Sequence, residues 1–189
     1  ITLYLIQEPS TANTSITGRS FDMERMIQTA QESVINNEIW LGAGTQKLLF
    51  VLFMAGFLVK LPVVPFHTWL PDAHVQAPTG GSMLLAGVML KMGAYGMFRI
   101  PISMFPHALV EFQVPLMIIG MISLFYGAWV CLGQINLKRM VAYSSVSHMG
   151  IILLGIASLQ PLGFAGAIFM MFAHGLISPM LFGVAGAFK

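Results

Sequence analysis

Charged residues are scarce in this chain of 189 residues. Only 8% of the residues are Asp, Glu, Lys or Arg, whereas 57% are hydrophobic, and the mean hydropathy is +0.81. A soluble domain usually carries about 25% charged residues, so the composition alone predicts a membrane protein. The net charge is +2 and no basic run occurs, which excludes nucleic acid as a predicted partner.

Cysteine is almost absent, and a secretory signal is missing. The single Cys131 excludes a disulfide within the chain and an iron–sulfur site built from this chain alone. The first residues, ITLYLIQEPS, contain neither a basic n-region nor an initiator Met. Because both ends look cut, we expect a piece of a larger membrane subunit or one product of a split gene.

Cofactor motifs are also lacking. The segment GAGTQK (42–47) does not have the full spacing of a phosphate-binding loop, and no nucleotide, flavin or haem motif occurs. His67, Asp72 and His74 flank a turn but do not form a recognised ligand pattern. We therefore predict neither a metal nor a cofactor in this chain.

Long apolar runs dominate what remains. Each run approaches or exceeds the about 20 residues that a helix needs to cross a bilayer. The sequence therefore predicts an all-α polytopic membrane protein with about five transmembrane helices, the first broken near Pro62, plus an N-terminal surface helix. The connection QP is so short that the fourth and fifth spans should be antiparallel neighbours. The runs are 48–66, 82–98, 112–133, 140–159 and 162–188.

The chain divides into two parts on this interpretation. Residues 1–47 would contain the end of a preceding helix (1–6), a polar loop, and an amphipathic helix over 25–40 that lies on the membrane. Residues 48–189 would form the membrane helix bundle.

Four ionisable side chains lie near the middle of four of the five runs: Lys60, Lys91, His148 and His174. Each is within three residues of its run's midpoint, which predicts a depth within about 5 Å of the bilayer midplane. A lysine there costs about 2.5–3.5 kcal/mol on insertion scales, so it must face protein or water. A row of such groups, linked by water, predicts a proton path. For each histidine alone, interhelical hydrogen bonding is the alternative.

Two prolines lie close to these groups. Pro62 cannot donate a backbone hydrogen bond, so the carbonyl of Leu58 loses its helical partner. Pro179 does the same to the carbonyl of Gly175, next to His174. Unpaired backbone at membrane depth is tolerated where it lines a cavity or meets protein, which predicts that Lys60 holds a proton beside a broken helix.

Acidic residues are missing from all five runs. The hypothesis that follows is that the acidic partner of Lys60 and Lys91 comes from residues outside this chain. The seven acids are Glu8, Asp22, Glu24, Glu32, Glu38, Asp72 and Glu111.

Three stretches resemble one family of membrane proteins. They are VKLPVVPFHTWLPDAHVQAPTGGSMLLAGVMLKMGAYGMFR (59–99), LKRMVAYSSVSHMG (137–150) and MMFAHGLISPMLF (170–182). The family is that of the antiporter-like membrane subunits of proton-pumping NADH:quinone oxidoreductase, respiratory complex I. The resemblance is collinear and covers about residues 45–188.

The resemblance implies a place and a role for each site residue. The five spans would match the seventh through eleventh membrane helices of the family. Lys60 would be the channel-site lysine, Lys91 the central connecting lysine, and His148 and His174 part of the central hydrophilic axis. The family pairs the first lysine with a glutamate on the fifth helix, before residue 1, and has a further ionisable residue on the twelfth helix, after residue 189.

The resemblance also implies partners and a location. The chain would be part of the enzyme NADH:ubiquinone reductase (H+-translocating) and would contribute only to proton transfer. NADH, FMN, iron–sulfur clusters and quinone would be bound by other subunits. Its partners would be other membrane-arm subunits, a polypeptide that supplies the missing helices and the acidic partner of Lys60, and membrane lipids. The expected location is the mitochondrial inner membrane, or else a bacterial plasma membrane or a plastid thylakoid.

Two other functions remain open at this stage. One is a subunit of a multi-subunit cation/proton antiporter, which shares the lysine motifs but has no redox partner. The other is a structural spacer that no longer pumps.

Overall fold

A computed structural model describes residues 23–35 and 43–188, and every regular element in these ranges is a helix. The predicted surface helix corresponds to α1, whereas its last predicted residues, 36–40, and the predicted segment 1–6 lie outside the described residues. The elements are α1 Met23–Ile35, α2 Ala43–Lys60, α3 Trp69–Gln76, α4 Thr79–Leu84, a π-helical turn Leu85–Met89, α5 Leu90–Arg99, α6 Pro101–Met104, α7 Pro106–Glu111, α8 Gln113–Leu132, α9 Leu137–Ala157 and α10 Pro161–Ala187.

Four helical segments in the described part of the chain are long and apolar enough to cross a membrane. They are Thr79–Met104, Gln113–Leu132, Leu137–Ala157 and Pro161–Ala187. These segments coincide with the second to fifth predicted runs, so the prediction of an all-α polytopic membrane protein is confirmed. The first segment joins α4, the π-helical turn, α5 and α6.

The first predicted run contains a break. Helix α2 ends at Lys60, residues 61–68 form non-helical turns, and helix resumes at Trp69. Pro62 accounts for this end because it has no N–H to continue the helical ladder. The break predicted near Pro62 is therefore confirmed, and α2 ends six residues before the predicted end of the run.

Two ion pairs show where α2 and α3 lie relative to α8. Lys47 lies in the first turns of α2, and its Nζ is 2.6 Å from Oε1 of Glu111, which precedes α8. Asp72 lies in α3, and its Oδ1 is 2.7 Å from Nη2 of Arg139, which follows α8. Because α8 runs from one side of the bundle to the other between these pairs, α2 and α3 together form a fifth, broken crossing.

The break lies beside the centres of the neighbouring spans. The N–H of Val64 donates to Ser123 Oγ at 2.9 Å, and Ser123 is near the middle of α8. On α5, a Cβ at Gly93 would lie 2.9 Å from the backbone nitrogen of Leu61, so only glycine allows this approach. Lys60 therefore ends α2 at the level of the middle of the bundle.

Helix α9 is the most buried of the four unbroken spans and packs between α8 and α10. Ser147 of α9 lies against Gly127 of α8. A Cβ added at Gly127 would lie 2.6 Å from the backbone nitrogen of Ser147. Towards α10, Ser145 contacts Ser178 and Gly155 contacts Gly163. The later residue of α9 thus contacts the earlier residue of α10, so the two helices run in opposite directions. The predicted antiparallel pairing of these two spans is confirmed.

Helix α10 continues through Pro179, unlike α2 at Pro62. The proline ring packs against the π-helical turn, where a Cβ at Gly87 would lie 2.8 Å from Pro179 Cγ. Neighbouring helices can support a proline-containing membrane helix in this way.

Candidate functional site

Lys91 of α5 meets His174 of α10 inside the bundle. The Nζ atom of Lys91 lies 2.6 Å from His174 Nδ1. The same ammonium donates to the carbonyl of Ala86, in the π-helical turn that precedes α5. The lysine side chain passes Gly175 of α10, where a Cβ would lie 3.6 Å from Lys91 Cε, an ordinary van der Waals distance. Lys91 is thus bonded at membrane depth by an imidazole and a backbone carbonyl.

The other ring nitrogen of His174 faces two hydroxyl groups. His174 Nε2 lies 3.1 Å from Ser145 Oγ and 3.1 Å from Ser178 Oγ. The two hydroxyl oxygens are 3.2 Å apart, and Ser145 also donates to the carbonyl of Val141 at 3.1 Å. His174 is only 4% exposed, and both of its ring nitrogens have side-chain partners in this chain.

His148 of α9 completes the cluster. Its ring meets the ring of His174 edge to face, with 5.4 Å between the ring centroids. The Nδ1 atom of His148 is buried and has no hydrogen-bond partner among the described residues. A buried ring nitrogen without a partner is unfavourable unless a water or another group reaches it.

Three of the four predicted site residues therefore come together. Lys91, His148 and His174 lie at or next to the centres of three different spans, and both Lys91 and His148 contact His174. A groove of about 410 Å³ opens beside Lys91, between the π-helical turn and α10. The ammonium and one imidazole share a hydrogen bond here, and the second imidazole packs against the first.

Lys60 is not in contact with this cluster. Its side chain is exposed at the end of α2, and within the described residues it forms no hydrogen bond and no ion pair. Its backbone lies against Gly93, two residues from Lys91 along α5. An acidic partner for Lys60 from outside this chain stays a prediction.

In the described part of the chain, no carboxylate lies inside any of the four unbroken spans. Glu111 and Asp72 form the two ion pairs described above, and Oε1 of Glu24 lies 3.5 Å from Nη2 of Arg99. Lys91 has its bonded partners, His174 and Ala86, within this chain. That pairing counts against the hypothesis that Lys91, like Lys60, needs an external carboxylate.

The other two histidines near the break lie outside the cluster. The buried ring of His74 stacks on Phe182 with centroids 4.1 Å apart, and neither of its ring nitrogens has a partner among the described residues. His67 is buried, and its ring meets the ring of Tyr126 in an edge-to-face contact with 5.0 Å between the centroids. Within residues 23–35 and 43–188, no group of three or more His, Cys, Asp or Glu residues is placed to hold a metal ion.

The sequence interpretation missed Ser145 and Ser178. Serine is common in membrane helices, so neither residue stands out by composition. Their spacing from the histidines is the feature that could have indicated them. Ser178 follows His174 by four residues, and Ser145 precedes His148 by three. Both spacings put the serine on the histidine's face of the helix.

The chain is similar to known proteins over most of its length. Residues 14–189 match the family described as NADH:quinone oxidoreductase/Mrp antiporter, transmembrane. NADH-quinone oxidoreductase subunit M of Escherichia coli (strain K12) is 44% identical over 167 residues, which are 88% of this chain and 31% of that protein. The corresponding subunit of Rickettsia prowazekii is 48% identical over 141 residues, 75% of this chain and 29% of that protein.

A plastid protein shows the same similarity. The chloroplastic NAD(P)H-quinone oxidoreductase chain 4 of Chara vulgaris is 51% identical over 141 residues, 75% of this chain and 29% of that protein. The chain thus spans about three-tenths of the length of the curated relatives that it matches.

Solved structures have the same fold. A chain of respiratory complex I from Thermus thermophilus with bound NADH superposes with a TM-score of 0.74 at 29% identity, covering 88% of this chain and 37% of that chain. A chain of the Mrp complex from Dietzia sp. gives a TM-score of 0.71 at 20% identity, covering 87% and 33%, a likeness of fold alone. Because the family match covers most of the chain, the protein belongs to the NADH:quinone oxidoreductase/Mrp antiporter transmembrane family.

Proposed function

We propose that the chain is part of a proton-translocating membrane-arm subunit of NADH:quinone oxidoreductase. The observation that carries this proposal is the contact of Lys91, His174 and His148 at the middle of three membrane spans. Relatives named as subunits of this enzyme support it at 44–51% identity. On this proposal the chain belongs to an enzyme, the H+-translocating NADH:ubiquinone reductase, and itself carries no redox centre.

The proposed mechanism is transfer of a proton, or of its charge, along the cluster. Redox events in other subunits change the pairing of Lys60 with an acidic partner outside this chain. Lys91 then releases a proton to His174 Nδ1, 2.6 Å away. His148 extends the path, because its buried Nδ1 has no partner among the described residues and can bind a water.

The partners and the location follow from this assignment. Other membrane-arm subunits and a polypeptide that supplies the acidic partner of Lys60 would pack against the bundle. Lipid would cover exposed apolar side chains such as Trp129 and Phe169. Residues 1–47 would contain the end of a preceding helix, a polar loop and the surface helix, and residues 48–189 would form the membrane helix bundle. Bacterial and plastid relatives support a membrane location, and we propose the mitochondrial inner membrane, with a bacterial plasma membrane or a plastid thylakoid as alternatives.

A subunit of a cation/proton antiporter is the second candidate. The shared fold with the Mrp complex of Dietzia sp. favours it. This candidate predicts sodium/proton exchange that does not depend on NADH, whereas the first candidate predicts proton translocation driven by NADH oxidation.

The decisive experiment replaces Lys91 by Met in the full subunit, assembled in its complex in sealed membrane vesicles. We expect proton translocation driven by NADH to fall at least about tenfold, because Met cannot donate a proton to His174. The control is Lys47→Met, since Lys47 pairs with Glu111 at the end of the bundle. Normal translocation by Lys91→Met, with normal assembly on a native gel, would overturn the proposal and favour the structural spacer.

A further inference from the structure

Two buried serines lie at the nitrogen of His174 that the proposed transfer does not use. Ser145 is 0% exposed and Ser178 is 3% exposed, and they belong to different helices. Transfer from Lys91 involves Nδ1, whereas both hydroxyls approach Nε2 at 3.1 Å. Two converging hydroxyl groups in an apolar bundle indicate a specific role for this side of the ring.

The directions of the hydrogen bonds follow from the number of donors. An ammonium has three donors and no acceptor, so a charged Lys91 can only donate to His174 Nδ1. A neutral imidazole has one donor and one acceptor, so its hydrogen must then be on Nε2. Nε2–H points at the serine pair.

The serine pair is arranged to accept that hydrogen. Ser145 donates its own hydrogen to the carbonyl of Val141 at 3.1 Å, which leaves its oxygen free to accept from Nε2–H. Ser178 can donate to Ser145 Oγ at 3.2 Å. All the bonds then run in one direction, from Lys91 through His174 to Ser145 and Val141.

This arrangement ends on a backbone carbonyl, which is not a proton acceptor near neutral pH. The serines therefore orient His174 and do not carry the proton further. We propose that Ser145 and Ser178 are positioning residues, which hold His174 as its Nε2–H tautomer with a bare Nδ1 facing Lys91. This inference rests on the proposed function of Lys91 and His174.

The transfer step itself is balanced under this assignment. One N–H bond of Lys91 breaks and one N–H bond forms at His174 Nδ1, so the positive charge moves from the amine to the ring. The hydrogen on Nε2 stays hydrogen-bonded to the oxygen of Ser145 throughout, so the ring need not turn. Within the described residues, the ionisable groups that face His174 are Lys91 from α5 and His148 from α9.

The test removes both hydroxyls in the full subunit within its assembled complex. The variant is Ser145→Ala with Ser178→Ala, and the comparison variant, Ser145→Thr with Ser178→Thr, keeps the hydroxyls. Ser144→Ala is the matched control on the same helix, because Ser144 donates to the same Val141 carbonyl at 2.7 Å rather than to His174. The tautomer is read from the imidazole bands in redox-induced infrared difference spectra, assigned by their loss in His174→Gln.

We expect Nε2–H bands in the unchanged protein, in the threonine variant and in Ser144→Ala. Without the hydroxyls the His174 ring can turn away from Lys91, so the alanine variant should show both tautomers. Its proton translocation should fall by roughly five- to tenfold, as expected for the loss of one hydrogen bond. If the double variant fails to assemble, each single alanine variant, which keeps one hydroxyl, should show a smaller change in the same direction.

Unchanged bands and unchanged translocation in the alanine variants would overturn the inference. That result can be separated from failure of the proposed function. If Lys91→Met abolishes translocation while the alanine variants do not alter it, only the role of the serines is wrong. If Lys91→Met translocates normally, the proposed function fails and this inference fails with it.

Discussion

Two side chains satisfy backbone groups that the break after Lys60 leaves without helical partners. Ser123 of α8 accepts from the N–H of Val64 at 2.9 Å, and the indole N–H of Trp69 donates to the carbonyl of Val59 at 3.0 Å. Ser123 is fully buried and in turn donates to the carbonyl of Ile119. An unsatisfied N–H in a membrane would have no water to replace such a partner.

Ser123→Ala should therefore lower the free energy of unfolding of the full subunit in detergent by about 1–3 kcal/mol, because the N–H of Val64 loses its acceptor. Equilibrium unfolding followed by tryptophan fluorescence measures the change. The control is Ser103→Ala, because the hydroxyl of Ser103 donates to the carbonyl of Phe98 near the end of α5 and its loss leaves no N–H unpaired. Equal stability of the two variants would contradict the assigned role of Ser123.

Single residues differed in how well they could be predicted from the sequence. Lys91, His148 and His174 were predicted because an ionisable side chain in a long apolar run has few ordinary explanations. Ser145, Ser178 and Ser123 were not, because a serine's role depends on which atom faces it from another helix. That information is in the packing and not in the composition of any one span.

At the scale of elements, the contact of the π-helical turn with α10 sets the position of Lys91. A Cβ at Gly87 would come within 2.8 Å of Pro179 Cγ, and a proline ring cannot rotate away as a flexible side chain can. Ala86, whose carbonyl accepts from Lys91, is the residue before this contact. The distance from Lys91 to His174 therefore depends on a glycine that has no side chain to bond with either residue.

Gly87→Ala should separate the two elements and destabilise the full subunit by about 1–3 kcal/mol, the usual effect of overpacking. Proton translocation should fall together with stability, since Lys91 moves away from His174. Gly166→Ala on α10 is the control, because nothing lies within 4 Å of its added Cβ. Normal translocation and stability in Gly87→Ala would show that the contact can relax without affecting the site.

The prolines show which features of an element can be predicted. Pro62 predicted the break of the first span, because it removes a hydrogen bond just before a second proline, Pro65. Pro179 also removes a hydrogen bond, yet α10 continues, with the proline ring packed on Gly87. The sequence could not separate these outcomes, since the difference depends on a residue more than ninety positions away.

At the scale of the whole molecule, the ion pairs at the ends of α8 assign the two halves of the broken span to opposite sides. Lys47 pairs with Glu111 before α8, and Asp72 pairs with Arg139 after it. The five predicted runs anticipated these crossings because hydrophobic length is a strong signal. The helical turns α3, α6 and α7 lie in segments that the sequence interpretation treated as plain connections.

Cysteine labelling can test this topology in the full subunit. With Cys131 first replaced by Ser, a membrane-impermeant maleimide should label Glu111→Cys and Gly44→Cys from one side of sealed vesicles. It should label Asp72→Cys and Gln134→Cys only from the other side. Labelling of Asp72→Cys from the same side as Glu111→Cys would mean that α2 and α3 re-enter on one side instead of crossing.

The 2.6 Å contact between Lys91 and His174 also limits how many protons the centre of the bundle can hold. Two positive charges about 4 Å apart repel by about 4 kcal/mol at an effective dielectric constant of about 20, and this pair is closer than that. No carboxylate of the described residues stands nearby to offset a second charge. The lysine and the histidine therefore share one positive charge between them. The pair binds a second proton only after it has released the first. A pair of bases placed this closely therefore passes protons one at a time and in a fixed order.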